Sequence, residues 1–121
     1  MYVYISACKG NSNDHVNTNA LKATLIDLGA TFEEVEGCYK GVTEKSFKVK
    51  FEAEKGISLM KVSELAKFYN QESILVQWSN NSCTLIYMNG NIEGIGIMEE
   101  VDSTEGLDAY SIINGKIFTI K

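Results

Sequence analysis

One run constrains this chain more than any other. From Glu44 to Phe51, the side chains Phe47, Val49 and Phe51 fall on one side, and Ser46, Lys48 and Lys50 fall on the other. A side-chain period of two belongs to an extended chain, because successive Cβ atoms alternate across a strand. The run therefore predicts a half-buried strand with a solvated outer face.

Around it the chain alternates short extended runs with two helical ones. Met1 to Ala7 reads as a first strand, followed by loop composition over Lys9-Gly10-Asn11-Ser12-Asn13-Asp14. A helix is predicted from about Asn17, with Leu21, Leu25 and Leu28 on one face and Gly29 as its stop. Thr31 to Glu36 reads as a second strand, and Gly37 to Gly41 as a turn or strand break. Ser58 caps a second helix whose apolar stripe is Leu59, Val62, Leu65, Ala66 and Tyr69. Ser73 to Trp78 and Cys83 to Met88 pair across Asn80-Asn81, and Asn89-Gly90 turns the chain into Ile92 to Ile97. Glu99 to Asp108 reads as a loop, and Tyr110 to Ile120 as a hairpin around Asn114-Gly115. The first six elements spell β-α-β-β-α-β, the ferredoxin-like split βαβ order. The expected fold is thus α+β: one antiparallel sheet with two helices on one face, plus C-terminal β-hairpins. The free face of such a sheet has to be covered, by those hairpins or by another subunit.

At 121 residues, 45% of them hydrophobic, a single domain over 1–121 is expected, with a real core. The first residues lack the basic region of a signal peptide, and no apolar stretch is long enough for a membrane helix. A cytoplasmic protein with no membrane partner is expected. The net charge of −5 repels a phosphate backbone, which argues against a nucleic-acid partner. Cys8, Cys38 and Cys83 are scattered and His15 is the single histidine, so no metal site is expected and the cysteines read as reduced and packed.

No phosphate-cradling or triad motif is present. The polar residues placed for a role are Glu44 at the mouth of the alternating strand, Tyr39 five residues before it, and Gln71 after the second helix. Asn11, Asn17 and Asn19 cluster where the first strand turns into the first helix, whose N-terminus offers free N–H donors.

Four segments resemble the bacteriophage S-adenosylmethionine (SAM) hydrolases, which act as lyases. They are Tyr2-Val3-Tyr4-Ile5-Ser6-Ala7 with Val16-Asn17; Gly37-Cys38-Tyr39-Lys40; Thr43-Glu44-Lys45-Ser46-Phe47-Lys48-Val49; and Val62 through Leu65-Ala66 and Gln71-Glu72-Ser73-Ile74-Leu75-Val76 to Leu85-Ile86-Tyr87 and Gly90. They lie in order over residues 2 to 90. The stretch between Tyr39 and Glu44 is shorter than in the phage members, and the C-terminal third shows little similarity.

The resemblance implies a ferredoxin-like trimer with active sites between subunits, and a reaction needing no metal or cofactor. The substrate carboxylate would attack the aminobutyryl arm and expel a thioether, giving methylthioadenosine and homoserine lactone. It implies Glu44 and Tyr39 as catalytic residues, and Gln71, Ser6, Asn11 and Asn17 as substrate-binding residues. Related lyases destroy SAM-AMP, the adenylated second messenger of type III CRISPR systems, so either substrate is implied. The competing reading is a non-catalytic oligomer that binds or sequesters a nucleotide in signalling or anti-defence.

Overall fold

A computed structural model describes all residues, 1–121. Its elements run β1 (Tyr2–Ile5), α1 (Asp14–Asp27), β2 (Phe32–Tyr39), β3 (Val42–Lys50), α2 (Leu59–Phe68), β4 (Ser73–Gln77), β5 (Ser82–Tyr87), β6 (Ile92–Val101), β7 (Ala109–Ile113) and β8 (Lys116–Ile120). All eight strands close into one antiparallel barrel in the order β1-β3-β2-β7-β8-β6-β5-β4.

This corrects the expected ferredoxin-like sandwich. The first six elements do follow the β-α-β-β-α-β order. But the sheet is not open, because β2 pairs with β7 and β6 with β8, so no edge remains. An open sheet leaves unpaired N–H and C=O groups along its edges, and closure removes them. The C-terminal hairpins therefore complete the sheet rather than flank it.

Two cores result, one on each side of the same strands. Outside the barrel, Val3, Ile5, Phe47, Val49, Ile74 and Val76 pack against Leu21 and Leu25 of α1 and Val62 and Ala66 of α2. Each Val, Leu, Ile or Phe among them, fully buried, contributes about 1.5–3 kcal/mol relative to exposure. Inside it, Tyr4, Val35, Cys83, Met98 and Ile113 pack together. Strand β1 shows the division: Val3 and Ile5 look to the helices while Tyr4 looks inward.

That division corrects the second expectation. Ser46, read as part of a solvated face, lies opposite Val35 in the β2–β3 register and so faces the barrel interior. Lys48, on the same side, lies 4.2 Å above the Tyr2 ring.

Boundaries also move. Helix α1 begins at Asp14 rather than near Asn17, and ends as read: Gly29 at φ 70° lets Ala30 N–H bond the Leu25 carbonyl and Gly29 N–H bond that of Ile26. Gly37 to Tyr39, read as a turn, continues β2; the turn is Lys40-Gly41, both at positive φ, the geometry of a tight two-residue hairpin. Glu99 to Val101, read as loop, extends β6 to its pairing with β8. No helix is long and apolar enough to cross a membrane.

Candidate functional site

The barrel is plugged at its middle and open at one end. The mouth is built by the β2–β3 hairpin, the start of β7 and the end of β8. The registers Tyr39↔Val42, Gly37↔Glu44 and Tyr39↔Ala109 bring these segments side by side. A cavity of ≈ 610 Å³ opens there, bordered by Tyr39 and Glu44 on the hairpin and by Met98, Ser111 and Phe118 deeper in. That is within the roughly 300–1,000 Å³ range of small-molecule sites.

Two further clefts adjoin it, and Glu44 borders both. One, of ≈ 470 Å³, runs over Glu34, Glu36, Thr43 and Lys45. The other, of ≈ 260 Å³, separates the hairpin from the start of α1 and is lined by Cys8, Asp14, His15, Thr18 and Asn19 among others. Glu44 is exposed and borders all three spaces. Tyr39 is 61% exposed at the cavity rim, with Lys40 Nζ 5.3 Å from its ring centroid.

The other residues singled out in the sequence lie on the α1 side of Glu44. Ser6 Oγ donates to the Lys45 carbonyl at 3.0 Å and accepts from Cys8 N–H at 3.0 Å, tying the end of β1 to β3 beside Glu44. Gln71 Nε2 donates to the Cys8 carbonyl at 2.8 Å, and Lys9 Nζ to that of Asn70 at 2.7 Å. Asn11 Oδ1 accepts from Asn13 N–H, closing a local turn before α1. Asn17 is half-buried on α1, and Asn19 meets His15 Nε2 at 3.3 Å. Tyr39 and Glu44 therefore share one cavity, whereas Ser6 and Gln71 brace the wall of the groove beyond Glu44.

Asp14 holds that groove's loop. Its carboxylate accepts from Lys9 N–H at 2.7 Å and Gly10 N–H at 2.9 Å. The Lys9 bond, then that of Gly10, favour the anion and hold the carboxyl below its ordinary value. At the barrel centre Tyr4 hydroxyl donates to Gln77 Oε1 at 2.6 Å, and burial raises its pKa, so it stays a neutral donor.

Sequence reasoning missed the inner lining. Ser46 reads as solvent-facing because it alternates with Lys48 and Lys50, and Ser111 and Phe118 read only as parts of a hairpin. Their alternation was visible, but nothing local says that the polar side of β3 turns inward.

The family whose model matches this chain is described as the S-adenosylmethionine lyase family, and the match covers residues 3–121. The chain belongs to the S-adenosylmethionine lyase family. The match includes the C-terminal third, where segment-by-segment similarity faded, and so includes the β7–β8 hairpin that walls the cavity. No curated protein matches the chain. The name of the family denotes a lyase acting on S-adenosylmethionine.

Proposed function

We propose that this chain cleaves the sulfonium of SAM, or of its adenylated conjugate SAM-AMP, by attack of the substrate's own carboxylate. The observation that carries the reading is the family match over residues 3–121. The barrel-mouth cavity, with a carboxylate and a tyrosine at its rim, supports it.

The bookkeeping of the reaction is simple. A carboxylate oxygen bonds to the γ-carbon of the aminobutyryl arm, and the bond from that carbon to sulfur breaks. The electron pair leaves with sulfur as a neutral thioether. Methylthioadenosine, or its AMP conjugate, and homoserine lactone result, and no proton has to move. The protein's task is to fold the arm so that oxygen and carbon approach, and such positioning is worth about 7–11 kcal/mol at best.

In this reading Glu44 is the charge partner of the sulfonium or ammonium, and Tyr39 presents its ring face or hydroxyl to the same arm. Gln71, Ser6, Asn11 and Asn17 are the proposed partners of the polar ends of the substrate; in the single chain Ser6 and Gln71 bond the Lys45 and Cys8 carbonyls, and substrate would exchange with those bonds. We propose a homotrimer with these sites between subunits, because Glu44 and Tyr39 are exposed at the rim and a neighbouring chain would enclose them. Size-exclusion chromatography with light scattering gives the mass that accepts or rejects this.

The test of function is incubation with SAM and with SAM-AMP in ¹⁸O-labelled water, resolved by chromatography and mass spectrometry. Methylthioadenosine or its conjugate, with unlabelled homoserine lactone, is expected. Label at the γ-oxygen would mean that water, not the carboxylate, attacks. Full recovery of both ligands despite binding would replace the lyase with a sequestering protein.

A further inference from the structure

Most small eight-stranded barrels either fill their interior with side chains or keep room for one small ligand. This barrel does both along its length. At its middle, Tyr4, Val35, Cys83, Met98 and Ile113 meet one another. Beside this plug several inward positions are small. Two residues on from Val35 stands Gly37, and two before Ile113 stands Ser111, followed inward-facing by Ala109. Opposite Val35 stands Ser46. A Cβ on Gly37 would reach only the Glu44 carbonyl oxygen, at 3.5 Å, so the room beside it is open.

The walls of this space are apolar on one side, through Met98, Phe118 and Ile120, and carry the Ser46 and Ser111 hydroxyls on the other. The only carboxylate on it, Glu44, stands opposite Gly37 and is exposed to solvent. A cation taken deep into such a space would lose its hydration without a partner. A neutral planar base would exchange water for ring and methyl contacts, and its edge nitrogens would meet hydroxyls that both donate and accept.

We propose that the barrel interior holds the adenosine moiety of the substrate, base innermost, and leaves the sulfonium at the rim beside Glu44. This rests on the sulfonium-cleavage reading for the identity of the ligand, and it assigns Ser111, Phe118 and Met98, on the C-terminal strands, to nucleoside recognition. The methionine arm then extends from the mouth along the groove toward Ser6 and Gln71.

The neutral product methylthioadenosine keeps the nucleoside and lacks the charge, so it probes this site without turnover. In the full chain, titration with methylthioadenosine is expected to shift the Met98 and Ile120 methyl resonances through the ring current of the base. Ala109→Leu at the exposed start of β7 and Ser111→Leu further in should each weaken that binding about tenfold or more, and Ser111→Ala, which takes away the hydroxyl without filling the space, should weaken it by less. Shifts at Met98 and Ile120 in a chain that fails to cleave either substrate would uphold the nucleoside site and remove the lyase reading. Cleavage of SAM with those methyls unmoved would do the reverse. Wild-type affinity in a folded Ala109→Leu protein, or no binding of methylthioadenosine at all, overturns the inference.

Discussion

Glu44 is the residue on which most of the chemistry converges, since it borders the cavity and both adjoining clefts. It is exposed and makes no ion pair within the chain, so its side chain does little for the fold. Glu44→Gln is expected to lower kcat/KM for the sulfonium substrate about tenfold to a hundredfold, while the melting temperature stays at the wild-type value. Equal turnover in the two proteins would remove Glu44 from the mechanism. Asp14 gives a residue-scale prediction in pH. Its carboxyl is lowered in the folded chain by the Lys9 and Gly10 amides. The stabilisation is therefore present above the unfolded value of about 3.9 and is lost as pH falls through the lower folded value. An NMR titration should place the Asp14 midpoint below about 3.9, with the Lys9 and Gly10 amide shifts moving together with it. A midpoint at or above the unfolded value would mean those bonds do not form in solution. Glu44, Tyr39 and Gln71 were legible as polar residues at element ends. Ser46 was not, because a serine beside two lysines reads as solvent until the opposing strands are known.

At the scale of elements, β6 is irregular where it leaves β5 and goes on to pair with β8. Its pairing with β5 shifts register at Cys83/Thr84, and Gly96 stands there at φ 124°. A Cβ on Gly96 would overlap the Lys121 carbonyl oxygen, while one on Gly94 would meet nothing within 4 Å. Gly96→Ala is accordingly expected to destabilise the protein by about 2 kcal/mol or more, through both the conformation and the clash. Gly94→Ala, two residues away, should move the urea midpoint far less. Comparable midpoints for the two variants would show that Gly96 is not the close approach described. The glycines were readable as a bulge or a close backbone approach, but not what approaches: the partner is Lys121, 25 residues on. Helix α2 was legible in detail, since Ser58 does accept from Lys61 N–H at 3.2 Å and the stripe through Val62 and Ala66 is buried. These signals act within one or two turns of chain, so the residues themselves carry them.

The whole molecule depends on contacts between distant parts of the chain. β7–β8 joins β2 to β6, so its removal would leave two bare edges and expose Tyr4, Val35 and Met98. A chain ending at Asp108 is expected to lose the cooperative melt and to bind hydrophobic dye, as sheets with open edges and uncovered faces associate. Calorimetry showing a single sharp transition for that truncation would mean that residues 1–108 fold without the last hairpin. The types and order of most elements, the tight Asn-Gly turns and the helix-facing core were determined by the sequence itself, because periodicity, caps and turn residues act between near neighbours. Closure of the barrel, the second core around Tyr4 and the cavity beneath Glu44 were decided only by tertiary structure. An alternating strand looks the same whether its second face meets water, another subunit or the inside of a barrel. What decides is the pairing of β2 with β7 and of β6 with β8, and hydrogen bonds between main chains leave no mark on the side chains that make up the sequence.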